Sequence, residues 1–232
     1  MLTSIIDAQE HREVAVVDIP NAFIQTDVKK EDTVIMKLHG KAAELLVKTA
    51  PELYRKYITI ENGKNVLYVE AWKAIYGTLK AALLFYKKLR ADLESIGFTI
   101  NPYDPCVANK MIKNYQFTIV WHVDDLKLSH KYGKEIDKFI VWLKGKYEDP
   151  EIGKIKVSRG KIHQYLGMTL DFSSPGEVKI DMVDYIKKMI EDFPDKSESK
   201  ANTPAALHLF EVRNDVKLLD EEKAIIFSQF DS

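Results

Sequence analysis

Asp124 and Asp125 stand side by side within FTIVWHVDDLKLSH (residues 117–130), where apolar and polar residues alternate, break at the two aspartates and alternate again. The pattern predicts a buried hairpin with the carboxylates at its tip. A third aspartate, Asp18, lies near the end of the β-branched run EVAVVDI (residues 13–19), and Pro20 and Asn21 follow at once as turn residues. If the two segments are neighbours in one sheet, three carboxylates approach one another. Two like charges about 4 Å apart at an effective dielectric near 20 repel by roughly 4 kcal/mol, so such a group stays ionised only beside cations. Oxygen ligands without Cys or His favour Mg2+ or Mn2+, and a pair of such ions is a device for phosphoryl transfer. Acidic residues are also ordinary in turns; the apolar strands leading to Asp18 and Asp124 are what set these apart.

The surrounding pattern supplies the elements that must hold them. TVIMKL (33–38) and NVLYVE (65–70) read as strands, separated by a helical stretch at 42–47 and the turn ENG, and together form a side excursion over 31–71. From 78 to 96, Leu79, Ala82, Leu83, Tyr86, Leu89, Leu93 and Ile96 recur at helical spacing, with Gly97 as the stop. After the aspartate hairpin, Ile136, Phe139, Ile140, Leu143 and Tyr147 mark a second helix over 134–148, followed by a short strand, KIKVS. With the excursion set aside, the order strand, helix, strand, strand, helix, strand is that of a ferredoxin-like split βαβ unit, an α+β fold. Beyond it, IHQYLGMTLDF and EVKID flank SSPG as a hairpin, and Met182, Tyr185, Ile186, Met189, Ile190 and Phe193 share a helical face. KSESKANTP then reads as an exposed linker, and 218–232 as a weak helix.

Composition narrows the classes. With 232 residues, 46% hydrophobic and 10% aromatic, the chain can bury one substantial core. One cysteine, Cys106, excludes an internal disulfide framework. No run of about 18 apolar residues suggests a membrane span, and the first residues lack the basic-then-apolar pattern of a secretion signal, so a cytoplasmic or nuclear location is expected. Lys plus Arg of 34 against Asp plus Glu of 35 leaves a net charge of -1, so any nucleic-acid binding must be local.

Four segments carry a resemblance to a known family: VVDIPNAF around Asp18, KAIYGTLKAALLFY around Tyr76, WHVDD at 121–125, and YLGMTL from Tyr165. In this order and on these elements, they resemble the reverse transcriptase domain of copia-type LTR retrotransposons over about residues 14–204. The resemblance implies a polymerase palm with part of its fingers over 1–181, the 31–71 excursion being fingers-like, and a truncated start of a thumb or linker over 182–232. It implies RNA-directed DNA polymerisation by two Mg2+ (or Mn2+) ions, held by Asp18 and Asp124 and supported by Asp125. Nucleotide would be bound by Ala22, Phe23, Tyr76, Gly77 and Lys80, with Phe23 as the gate against a ribose 2′-hydroxyl and Gly77 allowing close backbone approach. Tyr165, Leu166, Gly167 and Met168 would form the hairpin that grips the primer. The implied partners are a primed RNA or DNA template, deoxynucleoside triphosphates and the rest of a retrotransposon polyprotein.

The chain also departs from that family. His122 stands where a tyrosine is usual, and its ring can carry charge near neutral pH. Lys80-Ala81-Ala82-Leu83 replaces a Gln-Ala-Pro-Arg run, and Pro20 removes a backbone N–H two residues after Asp18. Only seventeen residues precede Asp18, too few for the family's first fingers segment. A competing expectation is therefore an inactive fragment that binds nucleic acid or protein. A third is a metal-dependent nuclease built on Asp104, Asp125 and Lys127.

Overall fold

The computed structural model describes residues 1–78 and 80–193. By chain contacts the protein divides into Met1–Met189 and Ile190–Ser232, and the linker and final helix expected from the sequence lie outside the described residues. In chain order the elements are α1 (Leu2–Gln9), β1 (Glu13–Asp18), β2 (Val34–His39), α2 (Lys41–Thr49), α3 (Pro51–Tyr54), β3 (Thr59–Glu61) and β4 (Lys64–Ala71). There follow α4 (Ala81–Ser95), β5 (Thr99–Ile100), β6 (Val107–Ile112), β7 (Tyr115–His122), β8 (Asp125–His130) and α5 (Gly133–Tyr147). The described part ends with β9 (Lys156–Arg159), β10 (Ile162–Tyr165), β11 (Met168–Asp171), β12 (Lys179–Asp181) and α6 (Val183–Asp192).

The fold is mixed α/β with antiparallel sheets. The main sheet runs β5-β6-β7-β8-β1-β9, and every pairing in it is antiparallel. Within it, β1, α4, β7, β8, α5 and β9 follow the split βαβ order, with β1 and β8 central. The sequence reading left out β5 and β6. Lys110 and Asn109 interrupt the apolar pattern of β6, and Lys113 and Asn114, both at positive φ, turn it tightly into β7.

Alternation along β1 explains the layers. Ala15, Val17 and Ile19 enter a core with Leu126 and Leu128 of β8, Ile119 and Trp121 of β7, Phe85, Leu89 and Leu93 of α4, and Ile136, Leu143 and Tyr147 of α5. Val14 and Val16 face the other way, into a smaller cluster with Ala8 of α1 and Tyr165, Leu170 and Phe172. The excursion forms its own sheet, β2-β4-β3. Its two ends are tied where Val28 N–H donates to Trp72 O (3.0 Å) and Ala74 N–H to Thr26 O (3.0 Å). The hairpin expected about SSPG is formed by β11 and β12, and IHQYLGMTLDF also folds back on itself at Leu166-Gly167, so that β10 extends it to a three-stranded sheet, β10-β11-β12. No described helix is long and apolar enough to cross a membrane.

The second face of the main sheet also carries charge. Lys127 of β8 is 2% exposed and its ammonium is paired with the fully buried carboxylate of Asp7 on α1. Arg12 lies 3.8 Å from the same carboxylate and donates to Thr118 Oγ1 at 3.0 Å and, through Nε, to Glu10 at 2.9 Å. Burial pushes the Lys127 pKa down, and the Asp7 charge opposes that shift. Breaking a buried pair strands one charge, so Lys127→Met is expected to cost toward the lower end of about 3–5 kcal/mol, because Arg12 still faces Asp7. Asp7→Leu combined with Lys127→Met is expected to recover most of the loss. Urea unfolding of the three chains checks this; equal losses in the single and double variants would contradict it.

Candidate active site

The aspartates meet through backbone pairing. In the β1–β8 ladder Val17 is opposite Leu126 and Asp18 is opposite Asp125, and just past the strand end Ile19 N–H donates to Asp124 O at 3.0 Å. On its other side β8 pairs with β7, ending at His122 opposite Asp125, so Val123 and Asp124 form a two-residue turn. Val123 sits at φ +55°, a region costly for a β-branched residue, and the flanking ladder and the Ile19 bond hold it there. The structure therefore brings Asp18, Asp124 and Asp125 to one corner of the sheet. It does not close them into a cage: among the described residues, no group of three or more His, Cys, Asp or Glu is placed to hold a metal ion.

The electrostatics agree with their proximity. The Asp125 pKa is raised, first by burial and then by the charges of Asp124 and Asp18, with His122 and Lys156 opposing. The Tyr76 hydroxyl is likewise pushed up, first by burial and then by the charges of Asp124 and Asp18. Lys156 of β9 is opposite Asp18 in the register, and its Nζ lies 3.0 Å from Asp18 Oδ2. This bond to Asp18 raises the lysine pKa. An ammonium already rests against one of the carboxylates, and the oxygen-only set of Asp18, Asp124 and Asp125 suits a hard divalent cation.

The other expected site residues divide into those near the corner and those apart from it. Ala22 and Phe23 are buried in a short 3-10 turn (Ala22–Gln25) and belong to the core. Phe23 packs on the half-exposed Tyr76 with ring centroids 4.4 Å apart. Gly77 has φ +84° and no chain atom within 4 Å of where a Cβ would stand. The positive φ is a conformational requirement that glycine meets without strain, and the space beside it is open. Lys80 is the residue before α4, in helical conformation. Tyr165 and Met168 are the closing pair of the β10–β11 hairpin, with Leu166 and Gly167 both at positive φ in its turn. A Cβ on Gly167 would lie 3.0 Å from the Tyr185 ring. The Tyr165 hydroxyl is buried without a hydrogen-bond partner, and burial together with the Asp125 charge raises its pKa.

The nuclease arrangement is not formed. Lys127 is consumed by Asp7, and Asp104 Oδ1 accepts from Cys106 N–H (2.9 Å) in a turn. Lys156 escaped the sequence reading. Nothing in KIKVS marks one lysine over another until the β9–β1 register is known, and a slip of one residue would turn it to the opposite face.

Comparison with known proteins yields two relatives. The chain is 27% identical over 143 residues to a transposon Ty5-1 protein of Saccharomyces cerevisiae, covering 61% of this chain and 42% of that protein. It is 25% identical over 190 residues to the retrovirus-related Pol polyprotein from transposon TNT 1-94 of Nicotiana tabacum, covering 81% of this chain and 13% of that protein. The chain therefore spans under half the length of either relative. No family model matches it. These similarities support a retrotransposon-related origin.

The raised Asp125 pKa has a consequence for stability. A carboxyl that titrates higher in the folded than in the unfolded chain destabilises the fold once pH exceeds its unfolded value, and it does so fully above its folded value. Asp125→Asn is therefore expected to raise Tm at pH 7 in metal-free buffer, with the gain vanishing as pH falls below the ordinary carboxylate range. Thermal melts from pH 3 to 8 check it; a lower Tm at pH 7 would contradict it.

Proposed function

We propose that the chain is the palm, with part of the fingers, of a retrotransposon reverse transcriptase, and that its chemistry is RNA-directed DNA polymerisation. The observation that carries this is the placing of Asp18 opposite Asp125, with Asp124 O bound to Ile19 N–H, at one end of the two central strands. The retroelement relatives support it.

In this reading Asp18 and Asp124 hold two divalent ions and Asp125 contributes negative charge behind them. Bound Mg2+ or Mn2+ would lower the pKa of a primer 3′-hydroxyl and neutralise the pyrophosphate leaving from the α-phosphate of the incoming nucleotide. Tyr76, supported from below by Phe23, offers an aromatic wall at the corner for the nucleotide, and the positive φ at Gly77 turns the chain from that wall toward α4. The β10–β11 turn at Leu166-Gly167 presents backbone for the primer strand, and Tyr165 fastens that hairpin to the sheet as part of the smaller core cluster. Template with primer and deoxynucleoside triphosphates are the partners this assigns.

A second reading has one observation in its favour: Asp18 is engaged by Lys156, and the three carboxylates are not gathered as a metal site. It is a fold of the same descent that binds nucleic acid or protein without catalysis.

Incorporation of labelled deoxynucleotide on a primed homopolymer RNA, with Mg2+ or Mn2+, separates the two. The polymerase reading expects metal-dependent extension that falls at least about a hundredfold in Asp18→Asn and in Asp124→Asn, the scale on which removal of an electrostatic transition-state contact acts. Folding should be retained in both, because each removes a like charge from a crowded corner. Absence of extension, or extension indifferent to Asp124→Asn, would favour the binding module.

A further inference from the structure

Lys156 lies on the strand next to β1, directly opposite Asp18, and its ammonium is 3.0 Å from Asp18 Oδ2. Its side chain is 82% exposed whereas that of Asp18 is 36% exposed, so the strand fixes the root of the lysine while its ammonium stays open to solvent. The charges around that head are known. Asp18 and, at longer range, Asp125 attract it. Asp125 also feels Asp124 and His122. An ammonium on an exposed pair is a weak, screened ligand. A divalent ion at the same oxygen has twice the charge and can be shared with the neighbouring carboxylates.

We propose that Lys156 is the resident counter-ion of the aspartate corner, holding Asp18 Oδ2 until a divalent cation displaces it, so that lysine and metal compete for one oxygen. This rests on the reading of Asp18 and Asp124 as metal ligands. Lys156 is in this role a positioning residue: it keeps Asp18 oriented at the strand end in the ion-free chain, and its release is part of loading the site. Lys154, two residues earlier, carries the same charge without that contact to Asp18, and separates direct competition from a general change of field.

The test is Mn2+ titration of the full chain, followed by the EPR signal of free Mn2+, for the unaltered protein and for Lys156→Met, Lys156→Arg, Lys154→Met and Asp124→Asn. Lys156→Met is expected to bind Mn2+ about two- to fivefold more tightly in low salt, the range an exposed ion pair supports, with the gain shrinking at high salt. Lys156→Arg should stay near the unaltered protein, and Lys154→Met should not share the gain. Equal or weaker binding in Lys156→Met, or an equal gain in Lys154→Met, would overturn the competition while leaving the metal site standing. Mn2+ binding that is indifferent to Asp124→Asn, or absent from both the unaltered protein and Lys156→Met, would overturn the metal site and the competition with it.

Discussion

Antiparallel pairing of β1 with β8 places Ala15 opposite Leu128 and Val17 opposite Leu126, so that both pairs enter the core between the sheet and its two long helices. The same register places Asp18 opposite Asp125 where that core ends. Each apolar side chain buried in this ladder contributes roughly 1.5–3 kcal/mol relative to exposure, and a slip by one residue would turn all of them outward. The cost of slipping is what allows two carboxylates, with a third in the adjoining turn, to be held close despite their repulsion. Hydrophobic burial thus fixes an arrangement that electrostatics alone would disperse.

The opposing forces are visible in particular residues. Asp125 is less readily ionised than an ordinary carboxyl, Lys156 has bonded to Asp18, and Val123 is held at a positive φ that a β-branched residue avoids. The Asp125 and Val123 features are local costs carried by the packing around them, and the Lys156 bond offsets part of the repulsion. On the same sheet face, Asp7 and Lys127 show another solution to buried charge, a closed pair joined by Arg12. In the buried pair Lys127 and Arg12 offset the Asp7 charge away from water, with Asp7 Oδ1 left without a hydrogen-bond partner, whereas the corner keeps its negative charge at a partly exposed strand end.

Much of this was legible in the sequence because burial leaves a period. The β-branched run at 13–19, the helical spacing along α4 and α5, and the alternation through β7 and β8 each follow from one buried face. What the sequence did not yield depends on partners distant in the chain. Lys127 reads as one more polar position on an alternating strand until α1 is seen to bring Asp7 onto it. The Leu166-Gly167 turn is reached through the resemblance and not through turn chemistry, because leucine seldom takes positive φ, whereas SSPG announces itself. Gly77 combines a positive φ with open space where a Cβ would stand, and neither is marked by its neighbours in the sequence. The three aspartates were found by their strands, and their lysine counter-ion was not, since register across the sheet is decided by the whole ladder.

Whether Asp18, Asp124 and Asp125 bind divalent cations as one corner, as proposed, is decided by anomalous scattering from crystals soaked in Mn2+. An anomalous peak between Asp18 and Asp124, with Lys156 swung away from Asp18 Oδ2, is the expected result. Peaks confined to other acidic surfaces, with the Lys156–Asp18 pair intact, would contradict it.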